Sequence, residues 1–158
     1  MRFHYNGMQV NKEDSMQRNG MRLWLARALI FVVFFFNVDC AVEFLVSPGL
    51  YAPGFELTGA PGEGMIRGMG VLFLMWNVPY AVALWHPVRQ RVSLWQAVMM
   101  QFIGLVGETL LLLTLEPGHA VLRGSVERFI RFDGFGLVCL LLAVFLTRGM
   151  QSNPVGGE

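Results

Sequence analysis

The stretch LIFVVFFFNVDCAVEF (residues 29–44) decides how the rest of the chain is read. Its first eight residues are apolar, and the run extends back to Leu23 and on to Val46. A helix needs about 20 mostly apolar residues to cross a bilayer, so this segment is long enough to span one. Asp39 and Glu43 sit at its end, four residues apart, and on a helix they share one face. Stacked carboxylates in an apolar segment repel each other and lose hydration. Their compensation must come from elsewhere in the chain or from a ligand.

Three further stretches have the same character, at about residues 65–85, 93–115 and 129–146. Breakers or charges bound each one: SPGLYAPGFELTGAPGEG (47–64), HPVRQR (86–91) and EPGHAVLRG (116–124). The composition agrees, with 54% hydrophobic and 15% charged residues and a mean hydropathy of +0.50, too apolar for an ordinary soluble domain. A net charge of +1 without clustered bases gives no footprint for nucleic acid. Eleven of the twelve bases are arginine, which fits a GC-rich bacterial genome.

The expected fold is therefore all-α, an integral membrane antiparallel four-helix bundle over residues 21–149. A polar, disordered cytoplasmic tail precedes it at 1–20, and a short cytoplasmic tail follows at 150–158. Met8, Met16 and Met21 are alternative starts. The first span lacks the A-x-A site of a secretory signal and runs on past a normal signal core. Lys12, Arg18, Arg22 and Arg27 precede span one, Arg89 and Arg91 lie between spans two and three, and Arg148 follows span four. The positive-inside rule puts both termini in the cytoplasm, with Arg123, Arg128 and Arg131 as a countervailing signal.

With that orientation, one outer layer collects charges from all four spans. Asp39 and Glu43 come from the first and Arg67 from the start of the second. Glu108 lies about 10 Å below Leu115 at 1.5 Å per residue, and Arg128, Arg131 and Asp133 open the fourth. Asp39 and Glu43 are expected to find these arginines, with Asp39 close to Glu108 and Arg67. Ala97, Gln101, Gly104 and Glu108 form a small and polar stripe that predicts an interior face on span three. In WNVPY (76–80), Pro79 takes away the bond to the Met75 carbonyl. A kink there, flanked by Asn77 and Tyr80, is expected to open a cavity between the helices. The 47–64 loop, with Leu50, Tyr51 and Phe55, is expected to fold back as a lid.

No nucleophile elbow, phosphate loop or HExxH is present. Cys40 and Cys139 lie apart in apolar segments and read as free thiols. His86 and His119 fall at opposite membrane faces, which does not suit haem ligation, and neither a metal nor a cofactor is expected. His119, Glu116 and Asp133 are the residues that could otherwise gather around a divalent ion. Trp24, Trp85, Trp95 and Tyr51 suit interfacial anchoring.

The short-looped spans, an arginine near the start of span one, and GMIRGMGVLFL (64–74) resemble small bacterial membrane proteins of the broad DoxX-like type, over about residues 22–148. That resemblance implies an antiparallel four-helix membrane bundle in the inner membrane and, for some members, a place as accessory subunit of a respiratory or redox complex. Its thiol-associated members carry cysteine pairs, which this chain lacks. Four spans with carboxylates are also similar to small multidrug transporters, although those are shorter and keep an acid near the middle of span one. The leading expectation is a non-enzymatic membrane protein with a protein partner or a second copy of itself. The alternative is a binder or carrier of a small apolar or cationic ligand, lipid or quinone. An enzyme would have to use Asp39 with Glu108 as its acid–base pair.

Overall fold

The structure is a computed structural model that describes the backbone of residues 3–150 and the side chains of residues 16–150. The chain is helical, with α1 (Phe3–Val46), α2 (Pro48–Tyr51), a 3₁₀ turn (Ala52–Phe55), α3 (Gly59–Trp76), α4 (Val78–Trp85), α5 (Arg91–Thr114) and α6 (Ala120–Thr147). Four helical stretches are long and apolar enough to cross a membrane: Met16–Val46, Gly59–Trp85, Arg91–Thr114 and Ala120–Thr147.

Local chemistry explains the breaks. Ser47 precedes a proline, which disfavours helical backbone, and α1 ends there. Pro79 has no N–H, and the ladder is interrupted two residues earlier. At the interruption, Asn77 donates its backbone N–H to the Phe73 carbonyl at 3.1 Å and its side-chain Nδ2 to the same carbonyl at 2.7 Å. Gly118, at φ 107, makes the turn into α6 in a conformation that side chains resist.

Two extents differ from the sequence reading. α1 is helical from Phe3, through the segment read as a disordered tail. No proline intervenes there, and each residue added to an existing helix gains a hydrogen bond without a new nucleus. α6 starts at Ala120 rather than near 129, so Arg123, Arg128 and Arg131 are helical. Hydropathy reports the apolar part of a helix and misses its polar extension. The tail at 151–158 lies outside the described residues.

At one end, here the basic end, Arg27 donates to the Trp85 carbonyl and Arg91 to the Met150 carbonyl. At the other, the loop end, the 47–58 connection meets the start of α6. The main core lies toward the basic end and includes Ala26, Ile30, Ala83, Leu94, Ala97, Leu140 and Ala143. A smaller core of Phe44, Ala52 and Ile66 sits under the loop.

Candidate binding cavity

Between these two cores the helices part around a cavity of about 470 Å³. Phe44 on α1 anchors an aromatic wall. Its ring centroid lies 5.0 Å from Tyr51, 5.9 Å from Phe55, 5.8 Å from Phe73 and 6.4 Å from Phe129. Phe129 also contacts Phe55 and Phe73, at 6.0 and 6.1 Å. Tilted and edge-on contacts of this kind add to apolar burial.

A polar relay crosses the cavity between helices. Tyr80 on α4 donates its hydroxyl to Gln101 Oε1 on α5 at 2.7 Å. Gln101 Nε2 then donates to Asp133 Oδ1 on α6 at 2.7 Å. Two glycines make room for it. A Cβ on Gly104 would lie 2.2 Å from Asp133 Oδ2, and one on Gly136 would lie 2.7 Å from Gln101 Nε2. The small and polar stripe expected on span three does face inward: Ala97 and Gln101 are buried and Glu108 is half-buried.

Two acceptors at the cavity are unspent. Asn77 is 4% exposed, and its Oδ1 is buried without a partner. Glu108 Oε2 is likewise buried and unpaired. Buried polar groups in this condition are rare in folded proteins.

The 47–58 connection folds back over the cavity, as its apolar residues suggested. Tyr51, Gly54 and Phe55 line the space. Ser125 donates its hydroxyl to the Gly54 carbonyl at 2.6 Å, and Arg128 Nη2 donates to that hydroxyl oxygen at 2.9 Å. Glu56, in the left-handed region at φ 57, fastens the connection to α6. Its carboxylate takes one contact from His119 Nδ1 at 2.5 Å and accepts another from the Leu122 backbone N–H at 3.2 Å. A carboxylate at a helix N-terminus satisfies an unpaired donor and faces the positive end of the helix dipole. The His119 hydrogen bond, then the Leu122 N–H, hold the Glu56 carboxyl below its ordinary range. The same hydrogen bond and charge hold the His119 imidazole above its own. His119 therefore faces Glu56 rather than joining Glu116 and Asp133. Among the described residues, no group of three or more His, Cys, Asp or Glu side chains is placed to hold a metal ion.

Six of the nine residues proposed from the sequence line this one cavity: Asp39, Asn77, Gln101, Glu108, Arg128 and Asp133. Glu43, Arg67 and Arg131 do not. Glu43 accepts from the Tyr51 hydroxyl at 3.1 Å. Arg67 pairs with Glu63, one turn back on its own helix, at 3.5 Å, and both are well exposed. Among the described residues Asp39 forms no salt bridge, so the expected Asp39–Arg67 pair is absent. Position along each helix grouped six of the nine residues around one cavity, but the angle around each helix was not predicted. Gly62, Ile66 and Gly70 are the buried positions of α3, and at about 100° per residue Arg67 turns away from them. Arg131 is exposed on α6 for the same reason, between inward-facing Phe129 and Asp133. The aromatic wall, Tyr80 as first member of the relay, and the Glu56 fastening were not recognised in the sequence. The advance signals were the apolar Tyr51 and Phe55 in the 47–64 loop and the position of Tyr80 beside the Pro79 break.

Compared with family models, curated proteins and solved structures, the chain matches none of them.

Proposed function

We propose that this is a polytopic protein of the bacterial inner membrane, an antiparallel four-helix bundle with both termini in the cytoplasm, that binds a small molecule between its helices without catalysing a reaction. The observation that carries the binding reading is the cavity itself. Its volume falls within the roughly 300–1,000 Å³ of small-molecule sites, its walls are rich in aromatic rings, and its polar groups converge from α4, α5 and α6.

Membrane embedding is supported by what lies outside the core. Phe31, Phe35, Met75, Ile103, Leu113, Phe135 and Phe145 are each half or more exposed. Apolar surface distributed over every long helix suits lipid and is unfavourable in water. Trp24 and Trp85, 72% and 84% exposed, sit near the basic end, where indole rings anchor at the headgroups. The arginines of that end support its cytoplasmic assignment. The DoxX-like resemblance belongs to the same proposal and adds the reading of an accessory subunit.

Purification in mild detergent, followed by mass spectrometry of everything retained, separates the two. The binding reading expects a stoichiometric small molecule released on denaturation. A stoichiometric protein partner, with nothing small released, would overturn binding in favour of the subunit.

A further inference from the structure

We infer that the occupant of the cavity is an amphipathic amine: a primary or secondary ammonium, with N–H groups to donate, on an apolar tail. This rests on the binding reading above and names its ligand class.

The inference starts from which polar groups remain free. Three donors at the site are engaged within the protein. Tyr80 gives its hydroxyl to Gln101, Gln101 gives its amide to Asp133, and Arg128 donates to Ser125. The two buried side-chain atoms at the cavity that have no partner are both oxygens. Asn77 donates Nδ2 to the Phe73 carbonyl, which fixes the amide and leaves Oδ1 as the unpaired atom. An amide oxygen carries no proton at any working pH, so whatever satisfies it must bring one. Glu108 Oε2 is the second unpaired acceptor.

Charge points the same way. Asp39, Glu108 and Asp133 line the cavity against one guanidinium, that of Arg128. A cation entering beside these carboxyl groups favours their ionised form and pairs with it, which neither an anion nor a neutral carbonyl can do. The aromatic wall adds a term of its own. Ring faces attract a cation within about 6 Å of their centroids, and the same rings bury the tail. A quinone, by contrast, would bring only acceptors to a site already rich in them.

The test uses the full chain in lipid nanodiscs, with titration calorimetry referenced to empty nanodiscs. The probes are 4-phenylbutylamine, its neutral isostere 4-phenylbutanol, and trimethyl(4-phenylbutyl)ammonium. The amine should bind at least about tenfold more tightly than either of the others. Asn77→Leu and Glu108→Gln should each weaken the amine by about tenfold, and Glu108→Gln should leave the alcohol unchanged. Asp39→Asn, at an exposed position with no salt bridge among the described residues, should weaken the amine by a smaller factor and keeps the test valid if either buried variant misfolds. Equal binding of amine and alcohol would overturn the amine while leaving a binding cavity in place. Equal binding of amine and trimethylammonium would overturn the need for N–H donors. If no probe binds and the purified protein releases nothing small, the amine and the binding reading fall together.

Discussion

Toward the basic end, one alanine from each of four helices (Ala26, Ala83, Ala97 and Ala143) is fully buried, and Ile30, Leu94 and Leu140 fill the space between them. Toward the loop end the side chains that meet are large aromatic rings, and between the two cores sit carboxylates and amides around open space. Small residues let helix backbones approach closely, so the first region closes on itself. Bulky rings and the Pro79 break hold the second apart. One set of helices thus supplies a rigid clamp at one level and a site at another.

The largest expected effect breaks the closed region. Leu140 is fully buried, and Leu140→Ala should cost about 2–5 kcal/mol. Leu50→Ala, at a residue that lines the cavity but is 78% exposed, should stay within about 0.5 kcal/mol. Reversible unfolding in mixed micelles compares them. Similar losses would mean the two regions are packed alike.

The relay comes next. Asp133→Ala leaves Gln101 Nε2 without its acceptor and should cost about 1–3 kcal/mol. Adding Gln101→Leu should recover part of that loss, since Tyr80 keeps a second acceptor in the Ala97 carbonyl at 3.2 Å. Purely additive losses in the double variant would remove the relay as a coupled unit.

A smaller effect concerns the fastening of the loop. Glu56 is held below its ordinary value of 4.5, so its contribution is present above that pH and lost as acid protonates it. His119 is raised above 6.5, so its contribution is complete below that pH and lost as pH rises through the raised value. The connection should therefore resist proteolysis between residues 51 and 57 best from about pH 4.5 to 6.5, and less well on either side. A flat profile that His119→Ala does not change would detach the loop from this pair.

How much of this was legible in sequence depends on the physical variable involved. Apolar run length gave the four helices, and Pro79 gave the break, because both act within a few residues. Position along each helix gave the grouping of Asp39, Glu108 and Asp133. The rotational setting of each helix was not legible, since it depends on contacts between segments. That is why Arg67 was assigned to Asp39 while it lies with Glu63. The correction is testable as the smallest effect of the set. Asp39→Asn and Arg67→Gln should each shift stability by no more than about 0.5 kcal/mol and should add without recovery. Recovery in the double variant would restore the pair.

The two native cysteines test the central contrast most directly. Cys40 lines the cavity and is half-buried, whereas Cys139 lies in the closed core at 5% exposure. Single-cysteine variants, Cys139→Ser and Cys40→Ser, can be treated in intact membrane vesicles with a small cationic methanethiosulfonate and followed by mass spectrometry. The open cavity predicts that Cys40 is modified while Cys139 stays free until the protein is denatured. Protection of both thiols, or faster modification of Cys139, would contradict it.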